Sequence, residues 1–328
     1  MNQLLKNNGE ERSKAQIFIL AAFLIAVIIT LLAFSLNLVI YSENTSARGS
    51  AVAEETVLDH QDNLLSKNKR IMHNYNSNRT YDESELDHIG TEYVEIAERN
   101  RQTTRGALES LSYEHTQGTL VGQYSNKELY PTDSQNQEDW SVVTGEPELY
   151  YAQQRLETNS IPAFDLSAIP IFSFDPFTTQ FVGSERYDVE IFRLASASEV
   201  RVRVTDGSSV VGRCGVSDSD PEVRIDYLEN TVNDEECMPL ENVDYSHWDI
   251  NYLNSGNASG QYGIITSASP ANVNSSVSQY TEGGPEPYYA NQVTTITAET
   301  DYVTEETTYT GDLFIDVTNT DLEYIYDS

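Results

Sequence analysis

The residues able to do chemistry are few and widely spaced. Cys214 and Cys237 are the only cysteines. A catalytic cysteine needs a base beside it, and a structural zinc site usually needs four ligands; neither pattern occurs. His60, His73, His88, His115 and His247 are scattered and form no H-E-x-x-H pair. Ser66-Lys67-Asn68-Lys69 matches S-x-x-K, a serine nucleophile with a lysine partner, but the companion S-D-N and K-T-G motifs are missing. There is no G-x-S-x-G and no Walker-type loop, and Gly256 to Gly260 reads as a turn in an anionic setting that would repel phosphate. Asp218-Ser219-Asp220 and Asp234-Glu235-Glu236 could hold a cation weakly. With 52 acidic residues, however, carboxylate pairs at about 5 or 9 Å, as in glycoside hydrolysis, arise by chance. These runs read as salt-solvating surface. The expectation is a non-enzymatic protein with no catalytic residue, metal or cofactor.

What remains is covalent processing. Cys214 and Cys237 lie in a segment expected outside the cell, where a disulfide can persist. Closing that loop would stabilise by about 3 kcal/mol in the chain-entropy account; two buried free thiols are the alternative. The sequon N-x-[ST] occurs at Asn44, Asn78, Asn257 and Asn274, consistent with glycosylation at an exterior location.

The element that would set this location is N-terminal. Ile17 to Ile40 is an uncharged apolar run. As a helix it spans about 36 Å, enough for a hydrocarbon core of about 30 Å, and it is too long for a secretory h-region. Lys6, Arg12 and Lys14 precede it and only Arg48 closely follows. This bias places residues 1–15 inside as a cytoplasmic leader, 16–40 in the membrane and the rest outside. The junction reads Arg12-Ser13-Lys14-Ala15-Gln16 before the apolar run. It resembles the class III signal of archaeal type IV pilin-like proteins, and the first fifty residues or so are similar to secreted haloarchaeal proteins of that kind. The resemblance implies cleavage by a prepilin peptidase between Ala15 and Gln16, a retained helix, and sister pilin-like subunits as partners. The helix lacks a Glu five residues in, and the Ser-Pro-Val-Ile-Gly-like opening of haloarchaeal adhesion pilins is missing, which points to a minor or pilin-like member. A plain uncleaved signal anchor is the other reading of the same segment.

Beyond the membrane, Val57-Leu58, Leu64-Leu65 and Ile71-Met72 recur at a step of seven, predicting that the helix continues as a stalk with one apolar seam. Asn74 to Asn78 breaks it. Thr80 with Glu83 forms a capping box, and Leu86, Ile89, Tyr93, Ile96, Leu108 and Leu111 predict a second helix over 83–112. Residues 41–112 would thus be a helical stalk or hairpin, its seam facing itself or sister subunits. Residues 113–160 read as a polar linker with one short helix at Glu148 to Leu156. Over 161–328, strand-like runs at Tyr187 to Leu194, Glu199 to Val204, Glu222 to Tyr227, Trp248 to Leu253, Tyr262 to Ser267, Val293 to Ala298 and Asp312 to Val317 predict an acidic antiparallel β-sandwich. Trp248–Leu253 and Tyr262 onward would form a hairpin about the Asn254–Gly260 turn. The fold class expected is α+β.

The charge balance bounds the environment. Asp plus Glu number 52 against 19 Lys plus Arg, for a formal charge of -33, and no Lys or Arg follows Arg224. Such a surface repels nucleic acid and anionic lipid, so neither is expected as an ectodomain partner. A disordered acidic tail would lack aromatics, yet the chain has 21 Tyr, 10 Phe and 2 Trp. No D-x-[DN]-x-[DN]-G calcium loop occurs. The remaining reading is adaptation to high salt, where a Debye length of about 3 Å at 1 M silences mutual repulsion. A membrane-tethered binding or sensor ectodomain is the alternative to a pilin-like subunit, and an anchored secreted hydrolase a third.

Overall fold

In the computed structural model, the described residues run from 62 to 328, except 63, 80–83, 86–87, 89, 92–93, 96–107, 133–136, 165–174, 208, 244, 246, 274–278, 285, 304–307, 321, 323–324 and 327–328. The chain divides into two compact units, Met1–Asp62 with Glu305–Thr307, and Asn63–Thr304 with Thr308–Ser328. The leader, the run Ile17 to Ile40 and the seam pair Val57-Leu58 lie outside the described residues. Among the described residues no helix is long and apolar enough to cross a membrane.

The second unit is mostly β. A helix over residues 64–77, here α1, is followed by helical turns at 84–85, 88, 90–91 and 94–95. The strands are β1 (Leu108–Glu128), β2 (Trp140–Val143), β3 (Leu149–Glu157), β4 (Ala163–Phe164), β5 (Phe177–Val182), β6 (Arg186–Leu194), β7 (Glu199–Thr205), β8 (Val210–Ser217), β9 (Glu222–Asp226), β10 (Thr231–Val232), β11 (Glu235–Glu236), β12 (Asp249–Leu253), β13 (Ser259–Thr266), β14 (Thr281–Glu282), β15 (Tyr288–Val303) and β16 (Thr308–Asp316). They form two sheets. The nine-stranded sheet runs β11-β10-β9-β3-β13-β1-β15-β14, with β16 also on β15; the seven-stranded sheet runs β2-β12-β5-β6-β7-β8, with β4 on β6.

Local pattern explains the pairing. In β7, Val200, Val202 and Val204 are fully buried, while Glu199, Arg201 and Arg203 take the other face. Period-two alternation of this kind makes one face apolar and forces it against a second sheet. β6 and β12 do the same with Val189, Ile191, Ile250 and Tyr252. The main core lies between the sheets and includes Val121, Ala152, Leu156, Phe177, Phe181, Ile225, Tyr262 and Ile264. A second cluster covers the other face of the nine-stranded sheet: Leu120, Ile265, Tyr288, Ala290, Val293, Ile296 and Ile315 pack with Met72 and Tyr75 of α1 and with Ile325 and Tyr326. The middle of that sheet is therefore covered on both faces.

Each strand-like run from Tyr187 onward falls on a strand. Four other expectations are corrected. The stretch 113–160 is no linker: it contains most of β1 and all of β2 and β3. Its strands bury Thr119, Gln123, Gln153 and Gln154 beside Leu120, Val121, Ala152 and Leu156, and hydrogen-bonded polar side chains on the inside obscure the alternation that marks a strand. Glu148 to Leu156 is accordingly β3 rather than a helix, and Leu108 and Leu111 lie on β1 rather than on a second helix. The expected hairpin is an arch instead. β12 pairs with β2 and β5 while β13 pairs with β1 and β3, so the chain crosses between sheets at Asn254, which takes a left-handed conformation with φ 54°. Tyr252 and Tyr262 then meet edge to face across the core, ring centroids 5.4 Å apart.

Candidate functional site: the helix–sheet junction and the open edges

The candidate chemical residues do not converge. Lys14, Ala15, Gln16, Asn44, Asn274 and His60 lie outside the described residues. Ser66 is exposed and Lys69 half-buried on α1; His88 and His247 are exposed, and His73 and His115 are half-buried. Among the described residues no three His, Cys, Asp or Glu side chains group as metal ligands. Asp234 instead pairs with Arg224, and Asp220 accepts from Asn233 Nδ2 at 3.5 Å. Cys214 and Cys237 are joined as a disulfide with Cα atoms 5.6 Å apart; it fastens β8 to the loop after β11. Of the described sequons, Asn78 is half-buried at the end of α1, and Asn257 is exposed, its Nδ2 donating to Asp175 O at 3.1 Å.

A set of specific polar contacts sits where α1 meets the nine-stranded sheet. β15 pairs on its outer side with β14 at Tyr288 and Tyr289 and with β16 from Thr295 onward. Val293 falls in the gap between them, and the fully buried Asn76 fills it. Its Nδ2 donates to Val293 O at 3.0 Å, and its Oδ1 accepts from Val293 N at 2.8 Å. The carboxamide thus stands in for a strand residue, offering the donor and acceptor that a buried peptide group requires. Gln292 Nε2 donates to the backbone O of Asn76 at 3.1 Å, completing the clasp. One turn on, the Arg79 guanidinium lies over Tyr288 and Tyr124, 4.4 and 4.7 Å from the ring centroids. Cation–π contacts of this kind contribute about 0.5–2 kcal/mol each.

A buried carboxylate supports the same region. Glu286 accepts from Ser125 N at 2.7 Å, and also from Tyr124 N and Ser125 Oγ. Lys127 Nζ lies 3.4 Å from its carboxylate. Glu286 therefore fastens the irregular stretch of β1 between Gln123 and Lys127. Toward the other end of β1 lies a groove of about 640 Å³, lined by Gly90, Thr91, Val94 and Glu95 on the helical side and Tyr113, Glu114 and His115 on β1. Gly90 permits the close approach: a Cβ there would lie 3.0 Å from the Tyr113 ring.

Inside the sandwich, Tyr227 OH donates to Gln154 Oε1 at 2.6 Å, and Gln154 Nε2 donates to Thr179 Oγ1 at 3.0 Å. Burial raises the Tyr227 phenol well above its ordinary value, and likewise those of Tyr245, Tyr252, Tyr262, Tyr280, Tyr288 and Tyr326.

The surface has one further notable feature. Among the described residues the exposed large apolar side chains are Val210, Val211, Met238 and Phe314, at 58%, 37%, 66% and 62% exposure. All four lie on or beside terminal strands of the two sheets, β8 and β16.

Nothing in residue type or spacing marks Asn76, Arg79, Glu286 or Gln292 as functional positions. Asn74 to Asn78 read as a helix breaker, and only an aromatic, Tyr75, beside a central Asn could have hinted that the break docks on something. No protein-family model, no curated protein and no solved structure matches this chain.

Proposed function

We propose that this chain is a pilin-like surface subunit of a salt-loving archaeon, cleaved between Ala15 and Gln16 and held by Ile17 to Ile40 in the membrane or in a bundle of sister helices. The extracellular part is a helical stalk ending in the β-rich head, and its role is assembly rather than catalysis. The observation that carries the reading is the clasp of α1 on the nine-stranded sheet through Asn76, Arg79, Met72 and Tyr75. A subunit of this kind needs its stalk fixed to its head, and a buried, doubly hydrogen-bonded amide fixes α1 to the nine-stranded sheet. A freely jointed linker, ordinary for a tethered enzyme or sensor, is the contrasting design. The formal charge of -33 supports the high-salt setting, and the Cys214–Cys237 disulfide supports an oxidising exterior.

The test is the mass of the mature protein expressed in a salt-loving archaeal host. A chain beginning at Gln16 supports prepilin-type processing. A chain beginning at Met1 or Asn2 overturns it and leaves a permanently tethered binding ectodomain.

A further inference from the structure

Both sheets end in an open strand. β8 pairs only with β7, and β16 only with β15 among the described residues. Alternate backbone groups of 210–217 and 311–316 point outward and meet no partner among the described residues. Soluble proteins usually blunt such edges with Lys, Pro, a bulge or a covering element; neither strand contains Lys or Pro, and the 3-10 turn Met238–Asn242 packs on β8, Pro239 beside Gly212, without pairing with it. A register shift at Val211 bends only the start of β8, leaving Gly212–Ser217 regular.

The two edges are complementary. β8 carries the exposed Arg213, which has no ion pair among the described residues, together with Val210 and Val211, and Met238 lies beside it. β16 carries the exposed Asp312 and Phe314. Laid antiparallel, the register that sets Arg213 against Asp312 brings Phe314 level with the bulge at Val210 and Val211, so the charge pair and the apolar contact lie side by side. The lengths match, at 8 and 9 residues. The edges also belong to different flanks: the disulfide ties β8 to the loop after β11, at one end of the nine-stranded sheet, whereas β16 lies near the other.

We propose that β8 of one copy pairs with β16 of the next, joining the seven-stranded sheet of one head to the nine-stranded sheet of its neighbour. The contact is heterologous, so a linked pair still carries one free β8 edge and one free β16 edge, and the association propagates as an open chain or closes as a ring. This deepens the assembly reading above and rests on it: membrane helices gather the subunits, and the edges set their order.

The experiment uses the full chain in multimolar salt, with the native cysteines already bonded to each other. Copies carrying Val211→Cys are mixed with copies carrying Phe314→Cys and mildly oxidised. The expected result is a mixed dimer, and a ladder of multimers from the double variant. Arg213→Asp abolishes the ladder, and Asp312→Arg in the same chain restores it. Like-with-like dimers only, or mixed dimers no more abundant than those from His247→Cys with Phe314→Cys, overturn the proposal. Sedimentation of the unsubstituted protein separates the two failures. Large assemblies without mixed links reject edge pairing alone, whereas a monomer at every concentration rejects assembly and edge pairing together.

Discussion

Asn76 shows how much one side chain can decide. Its amide answers both polar groups of Val293 in a dry interface, so its removal leaves two buried backbone groups without partners. Each such group costs about 1–3 kcal/mol. Asn76→Leu is expected to destabilise the fold by about 3 kcal/mol, read as a lower denaturation midpoint by circular dichroism; an unchanged midpoint would mean that the clasp contributes nothing. Asn257 makes a different claim. It is the one described sequon asparagine that is exposed, whereas Asn78 is half-buried at the helix end. In an archaeal host, Asn257→Gln should remove one glycan mass and Asn78→Gln should remove none. From sequence the two sequons are equivalent. They separate only once burial is known, which is why the site list was legible as candidates and not as a ranking.

Elements were legible where one face was apolar and the other charged. β7 alternates Val with Arg or Glu along nearly its whole length, and such a pattern admits a single register. β1 and β3 are hard to read, because Thr119, Gln123 and Gln154 point inward and are paired there, while Gln153 is buried and paired on the opposite face. The arch at Asn254 was missed for a related reason: a turn-rich stretch between two alternating runs reads equally as a hairpin or as a crossing between sheets, and only the facing pair Tyr252 and Tyr262 decides. The disulfide acts at this scale too. It closes a loop with a sequence separation of 23 that spans β9, β10 and β11. Replacing both cysteines by serine should cost about 3 kcal/mol, measured by denaturant unfolding; a shift within about 0.5 kcal/mol would show that the loop is held by packing alone.

At the scale of the whole molecule, charge and burial make opposite demands on the solvent. A surface at -33 strains a fold in dilute buffer and is relieved where the Debye length is only a few ångströms. Dialysis from multimolar salt to about 0.1 M should therefore unfold the head, and unchanged circular dichroism and melting there would reject the salt adaptation. Alkali attacks from inside. Burial raises the phenols of Tyr227, Tyr245, Tyr252, Tyr262, Tyr280, Tyr288 and Tyr326 in the folded state. An unfolded chain ionises them near pH 10. Their contribution to stability is full below that pH and is lost as pH rises above it. Phenolate absorbance should rise in a cooperative step together with loss of fold; a smooth titration with the fold intact would contradict their burial. The β-rich head was thus foreseeable from alternation, and the acidic exterior from composition, whereas the docking of α1 on the sheet depends on contacts no periodicity encodes. The most direct test of the account is to shear cells in native salt, sediment the released material and measure the intact mass of this chain in the pellet. The account predicts the chain in that pellet, beginning at Gln16. Its presence only in the membrane fraction, with Met1 or Asn2 as first residue, would contradict it.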